Sequence, residues 1–521
     1  MRVTCLLLAV WLCPALASAE DFYVDPASGS PDGDGSAARP WRTLQEVVEA
    51  DLIESRNWAS LPYADGAALE PVNPGAPIGP GDRILLGSGH HGELVVESMH
   101  NAAPITIAPM DGATPTLRRA LFRASSGWVL RGVSLSPSYA EPFERVTIVE
   151  VEDHGFRGPS FDVVIEDNEV FTVRDVSGWS ADDWVARACS GISTDSRDVI
   201  VRGNTLTNVR FGISASGDRT LVSRNSIRNF SGDGLRGLGD DSTFEHNYVA
   251  NCYDVDDNHD DGFQSWSVGE GGVGTGEVRG MTLRGNVIVN YEDADQPLRG
   301  PLQGIGCFDG FFVDWVVENN VIVTDHWHGI TLLGARNARV VNNTVVDPNG
   351  ERPGPPWIQI APHKDGRESD GVVRNNLVTA LANEGDGVVE DHNLLIEDPA
   401  ALFVGPAAPW DLHLLPGSPA IDVGTEDGAP ATDLDGIARP QGAGVDVGAY
   451  EWHEPGVEPE GDAGIRPPVD ASTPPRDAGS GVDGGGAASE EGGGCGCRAT
   501  GSRRAAPWAL LALLGLLARR R

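Results

Sequence analysis

A pair of residues ending in asparagine returns again and again through the middle of this chain. It appears as Asp167-Asn168, Gly203-Asn204, Arg224-Asn225, His246-Asn247, Gly285-Asn286, Asn319-Asn320, Asn342-Asn343 and Asn375-Asn376. The shortest intervals are 21, 22 and 23 residues, and the longer ones leave room for loops inserted into a repeating unit. Around the asparagines lie β-branched runs such as VIVRGNTL, WVVENNVIV and ARVVNNTVV, of strand length and bounded by turn residues. A second marker alternates with the first: Gly191-Ile192, Gly212-Ile213, Gly234-Leu235, Gly262-Phe263, Gly304-Ile305 and Gly329-Ile330. Two markers in constant order, about one unit apart, are what a solenoid of stacked strands demands, because each coil buries its apolar face only against its neighbours. Asparagine suits the turn because it tolerates the left-handed region, and stacked amides can bond to one another coil after coil. A β-sandwich with regular turns is the competing architecture, but sandwich strands share no register markers.

The two ends read differently from the body. MRVTCLLLAVWLCPALASA, residues 1–19, has one Arg, an apolar run too short to span a membrane and a small-residue cleavage site, the pattern of a secretory signal. The stretch 454–494 is rich in Gly, Pro, Ala, Asp and Glu, cannot bury enough apolar surface to offset its ordering entropy, and reads as a disordered linker. Residues 495–521 hold Cys495-Gly496-Cys497, an apolar stretch from Ala505 to Ala518 expected to form a short helix, and three terminal arginines. Apolar segment and arginines together are how a chain end is held at a membrane with its positive charges cytoplasmic. Linker, Cys motif, apolar helix and Arg cluster together resemble the myxobacterial C-terminal sorting tail MYXO-CTERM. That resemblance implies removal of the tail by a sorting protease and delivery to the cell surface or outer membrane, or secretion. Simple anchoring through the tail, the only membrane contact expected, is the alternative.

The formal net charge is −38, which argues against a nucleic-acid partner, since phosphate binding requires a basic face. Lys364 is the only lysine. Outside the two ends only Cys189, Cys252 and Cys307 remain, too odd and sparse a set for a disulfide framework. The body, residues 20–453, is expected to be a single all-β domain and a monomer.

Its flanks carry a family resemblance. Asp21-Phe22-Tyr23-Val24-Asp25-Pro26, Gly33-Asp34-Gly35 and Pro40-Trp41-Arg42-Thr43-Leu44-Gln45 resemble the opening of secreted right-handed parallel β-helix proteins of the pectate-lyase-like superfamily. There a short strand and a helix cap the N-terminal end of the solenoid. Pro80–Leu86 is similar to the first full coil of that group, and residues 416–422 and 445–451 to its closing segment. The resemblance implies a right-handed parallel β-helix with a small N-terminal cap. It leaves the activity open, because such β-helices include lyases, hydrolases, epimerases and non-catalytic proteins.

Aligning coils on the Gly marker brings distant residues into columns. Asp233, Asp261, Gln303 and His328 precede the Gly; Arg236, Gln264, Gly306 and Thr331 lie two places after it; Leu238, Trp266, Phe308 and Leu333 lie four places after it. With coils about 4.8 Å apart, these columns would form one polar and aromatic stripe able to wall a sugar groove. Gln264, Trp266, Gln303 and Asp233 are its candidate substrate-binding residues. The richest stretch runs from Tyr253 to Gln264 and holds five aspartates in eight positions. Asp254, Asp256, Asp257 and Asp260 are hard oxygen donors suited to Ca²⁺ on a strand edge, as in pectate lyases; a solvated acidic loop, or acid–base work without metal, are the other readings.

For a lyase or C5-epimerase the site must neutralise a uronate carboxylate, remove the proton α to it, and reprotonate. Ca²⁺ or Arg236 could neutralise, His259 serve as base and Tyr253 as acid. Tyr253, Asp256 and His259 resemble the Tyr, Asp and His of the mannuronan C5-epimerase motif Y-G-x-D-P-H, with Asp254 in place of its Gly and Asp257-Asn258 in place of its Pro. Asp260-Asp261 and Trp327-His328-Gly329 resemble parts of polygalacturonase sites, where paired carboxylates hydrolyse the glycosidic bond; Asp261 and His328 are the candidates. His326 and His328, two apart on a strand, are also spaced to share a metal. His90-His91 is expected at the surface, Lys364 about four coils from the acidic stretch, and 137–189 and 267–300 as inserted loops. Three functions follow: action on an acidic uronate polymer by a lyase or epimerase, non-catalytic carbohydrate binding or surface structure, and glycoside hydrolysis.

Overall fold

The computed structural model describes residues 19–457. The expected signal segment (except Ala19), the linker beyond residue 457 and the sorting tail lie outside the described residues.

Three long parallel sheets wind around one core and form a right-handed parallel β-helix. Their parallel ladders hold 13, 12 and 11 strands among the described residues, the coils contributing one strand to each, and an antiparallel pair, Ser55–Trp58 and Leu69–Val72, joins the first sheet at its side. The N-terminal end is closed as expected. Strand Asp21–Val24 pairs in parallel with Arg83–Leu86, and helix Leu44–Glu49, capped by Thr43, buries Leu44 and Val47. Both markers mark register. Ile192, Ile213, Leu235, Phe263, Ile305, Ile330 and Ile358 stand opposite one another strand by strand in the third sheet.

The glycines have a steric cause. A Cβ on Gly262 would lie 2.3 Å from Ile288 Cγ2, and one on Gly304 would lie 2.6 Å from Ile322 Cγ2. The core side chains of the second sheet fill the space that a third-sheet side chain would need, so close packing admits only hydrogen there.

The asparagines form a buried ladder, with one amendment to the expected turn chemistry. The first residue of each pair takes the left-handed conformation (φ 55° at Arg224, 53° at His246, 54° at Asn319), and the second does not. That second Asn bonds both ways along the axis. Asn225 Nδ2 donates to Asn247 Oδ1 (3.0 Å) and to Val201 O (2.9 Å), while its own Oδ1 accepts from Asn204 N (3.0 Å) and Nδ2 (2.9 Å). The ladder runs one coil further than the eight pairs, through His392-Asn393, where Asn376 Nδ2 donates to Asn393 Oδ1 (2.9 Å).

Other expectations change. Residues 137–189 and 267–300 are loops only in part: strands Thr147–Glu152, Phe161–Glu166 and Glu169–Phe171 make a complete coil in the first, and Thr282–Arg284 and Val287–Val289 are coil strands in the second. Their sequences are interrupted by insertions that hide the period. His91 is buried, not at the surface, with Nε2 2.8 Å from Gly87 O. The closing segments do not simply continue the stack. They run back over the outer face of the second sheet and bury Leu412, Leu414, Ala420, Val447 and Ala449 against Tyr248, Val289, Val321, Val346 and Leu377. Asn319 Nδ2 donates to Thr432 O (2.8 Å) and Asn342 Nδ2 to Asp446 O (3.1 Å), so the strap takes bonds from three successive coils with Asn375 Nδ2 to Thr425 O (2.8 Å). Cys189, Cys252 and Cys307 are free thiols, all buried.

Candidate active site

The polar stripe forms on the outer side of the third sheet, where strand Asp261–Trp266 follows the acidic stretch. Register places Asp261 opposite Gln303, and aligns Arg236, Gln264, Gly306 and Thr331 in one column. The column four places past the Gly breaks. A bulge between Ser265 and Trp266 sets Trp266 opposite Asp309 instead of Phe308.

At the centre His259 and Asp261 form a pair. His259 Nδ1 lies 3.0 Å from Asp261 Oδ2, and Gln264 Nε2 donates to the same oxygen at 3.0 Å. The imidazole is 59% exposed while the Asp261 side chain is fully buried. The hydrogen bond to Asp261 holds the His259 pKa above its usual range, against the opposing pull of burial. Burial in turn pushes the Asp261 carboxyl well above the ordinary carboxylate range. With Nδ1 engaged, Nε2 is the nitrogen left to a ligand.

Asp261 Oδ1 and Gln303 Oε1 both approach the position a Cβ would take on Gly306, at 2.1 and 3.0 Å, and neither has a hydrogen-bond partner. A side chain on Gly306 would collide with the Asp261 carboxyl and the Phe308 ring.

Asp260, next to Asp261 in the chain, is also buried. Asn258 Nδ2 donates to its Oδ1 at 2.9 Å, Cys252 Sγ lies 3.4 Å from its Oδ2, and burial raises its pKa to about 7. An open cleft of about 170 Å³ lies between Asp254, Asn258, His259 and Asp260 on one side and Pro301, Gln303 and His326 on the other.

Asp233 ties in the cation. Its Oδ1 accepts from the Asp261 backbone N–H at 3.1 Å, and its Oδ2 accepts from Arg236 Nε. The Arg236 guanidinium lies 3.7 Å from the Phe211 ring centroid and 5.7 Å from that of Trp266. His328 stands further along the stripe. Its Nδ1 meets Thr331 Oγ1 at 2.9 Å, and burial with repulsion from His326 and His259 lowers its pKa to about 4. Tyr253 is set apart. It stacks on Trp184 of helix Ala181–Arg187 (4.7 Å between centroids), burial raises its pKa, and it does not line the cleft.

The four aspartates weighed for calcium do not converge. Asp256 pairs with Arg210 at 2.9 Å, Asp260 is bonded to Asn258, and among the described residues no group of three or more His, Cys, Asp or Glu is placed to hold a metal. The residues as placed do not fit a calcium cage, nor do His326 and His328 gather further ligands. Lys364 follows a strand three coils from the Asp261 strand, not four, and donates to Asp309 (2.7 Å).

Phe211, Arg210 and Trp357 were not singled out from the sequence. Phe211 precedes Gly212 and so belongs to the Asp233–Asp261 column, a place its sequence spacing encodes. Trp357 stands opposite His328, but its coil lacks the Gly marker and slips register, which hides it.

The family model described as "Right handed beta helix region" matches residues 190–352. No curated protein matches the sequence. Among solved structures the chain is similar to pectate lyase Pel9A, with 14% identity, 84% of this chain and 98% of that chain covered, and a TM-score of 0.39. It is similar to the A-module of the Azotobacter vinelandii mannuronan C-5 epimerase AlgE6 at 11% identity, covering 60% and 90%, with a TM-score of 0.39. For the GH136 lacto-N-biosidase of Eubacterium ramulus the values are 12%, 72% and 68%, and 0.36.

Proposed function

We propose that this β-helix acts on an acidic polysaccharide, removing the proton α to a uronate carboxylate as a lyase or C5-epimerase. The observation that carries the reading is an exposed imidazole whose Nδ1 is held by a buried carboxyl, leaving Nε2 open to a cleft. His259 Nε2 takes the C5 proton. Arg236, fixed by Asp233 and Phe211, offers its remaining N–H groups to the substrate carboxylate, where negative charge develops as the C–H bond breaks. Asp260, which holds its proton up to about pH 7, gives it to the C4 oxygen as the C4–O bond breaks and the C4–C5 double bond forms. In epimerisation the proton would instead return to C5 from the opposite face. No step is routed through a metal.

The test is incubation with alginate, polygalacturonate and glycosaminoglycans, with and without Ca²⁺, following ultraviolet absorbance of unsaturated uronate and solvent-deuterium exchange at C5. Signal that disappears in His259→Ala supports the reading. Absence of both signals on every polymer, with no new reducing ends, would leave a carbohydrate-binding surface instead. Residues 1–19 and 495–521 support export to the cell surface, tested by protease accessibility on intact cells.

A further inference from the structure

The stripe is chemically lopsided. Toward the N-terminal coils it carries guanidinium groups: Arg236, its Nε taken by Asp233, and Arg210, paired with Asp256, both lie over Phe211, at 3.7 and 5.3 Å from its centroid. Toward the C-terminal coils it is aromatic. Trp327 and Trp357 lie parallel within 9°, with centroids 6.2 Å apart, and Trp327 is 41% exposed. The platform is built, not incidental. Trp357 Nε1 donates to Thr331 Oγ1 at 3.2 Å, and His328, bonded to that same oxygen, meets the Trp357 ring edge-on at 5.5 Å.

Charge is withheld from this end. His326 and His328, the ionisable rings beside the indoles, are held uncharged at neutral pH, with burial lowering both to about 4. Lys364, beyond the Trp357 strand, is committed to Asp309. A flat indole pair without a cation suits the C–H face of an uncharged pyranose, whereas a uronate there would lose hydration with no partner for its charge. At the other end Asp233 takes one edge of the Arg236 guanidinium through Nε and leaves its remaining N–H groups to an incoming carboxylate. The strands of Arg236 and Trp357 are four coils apart, about 19 Å at roughly 4.8 Å per coil, the span of a short oligosaccharide.

We propose that the polymer bound here alternates charged and uncharged sugars, a uronate lying over Arg236 and Phe211 and a neutral residue on Trp327 and Trp357. The inference rests on the acidic-polysaccharide reading above and narrows its substrate class to heteropolymers over homopolyuronates.

Equilibrium binding of hexasaccharides to the full-length protein carrying His259→Ala, which cannot turn them over, tests it. The probes are two alternating uronate–N-acetylhexosamine hexamers, from hyaluronan and heparosan, and two homouronate hexamers, from polygalacturonate and polymannuronate. At least one alternating hexamer is expected to bind tenfold or more tighter than both homouronates. Trp327→Ala should weaken that binding about tenfold and change homouronate binding less than twofold, and Trp327→Phe, which keeps a ring, should restore most of it. A homouronate bound as tightly, equal sensitivity of both classes to Trp327→Ala, or no binding of either alternating hexamer overturns the inference. Tight, Trp327-dependent binding by a protein whose wild type forms no unsaturated product would keep this inference and remove the lyase; turnover of homopolyuronate alone would do the reverse.

Discussion

His259 is held by Asp261, two residues on in the chain, and the two side chains live in different media: the imidazole is 59% exposed and the carboxyl fully buried. The dry partner therefore sets the basicity of the wet one. Asp261→Asn keeps the shape and removes the acid. The His259 pKa should fall, and the pH–rate limb it governs should move to lower pH, with a loss of about 10²–10⁴ in rate for His259→Ala. An NMR titration of the His259 ring in both proteins checks the direction independently of turnover.

Asn286 makes four side-chain hydrogen bonds to three neighbours. Its Nδ2 donates to Phe244 O (2.8 Å) and Asn320 Oδ1 (3.0 Å), and its Oδ1 accepts from Asn247 N (3.1 Å) and Nδ2 (2.9 Å). Asn286→Ala strands buried groups on two sides and should cost about 2–4 kcal/mol. The denaturation midpoint should drop with the slope unchanged. A half-buried control outside the ladder, Asn258→Ala, should leave the midpoint nearly in place while altering Asp260.

Gly262 and Ile288 compete for one volume. Gly262→Ala alone should destabilise by about 1–3 kcal/mol through overpacking. Ile288→Ala alone should destabilise through its cavity. Together they should cost less than the sum, a coupling of about 1 kcal/mol or more that a double-mutant cycle would read.

His413 sits between Asp411 (2.6 Å) and Asp435 (2.7 Å) in the closing segment. Burial lowers its pKa, but the two carboxylates together outweigh that and bring it to about 9. A His raised in the folded state stabilises fully below its unfolded pKa, about 6.5. That contribution is lost as pH climbs through 9. Stability should fall between pH 7 and 10, and His413→Gln should flatten the curve in that window.

The sequence disclosed the solenoid because its two markers answer to single local causes. A glycine stands where a neighbouring side chain fills the space, and an asparagine where an amide must bond both ways along the axis. The columns before and two places after the glycine followed from the same period, and with them Asp233, Asp261, Gln303, Arg236 and Gln264. Trp266 slipped because a bulge changes register without leaving a mark on composition. Trp357 went unseen because its coil has no glycine. Tyr253 was read from a motif likeness, whereas its position is set by Trp184, contributed by a helix 69 residues earlier, a pairing that periodicity does not encode. The return of the closing segment was hidden for the same reason: nothing local in residues 403–452 names the sheet they lie against.

That return path alters how the body comes apart. A stack whose coils touch only adjacent coils can fray from its ends one layer at a time. Here the closing segment is bonded to Asn319, Asn342 and Asn375 and lies over Tyr248, so the C-terminal layers cannot peel while it stays seated. During vectorial synthesis these coils thus wait, partly uncovered, for hydrogen-bond partners that emerge 50 to 113 positions later. A ribosome stalled before that stretch would hold a nearly complete helix with its second face still greasy, the state in which a holding chaperone would have most to grip.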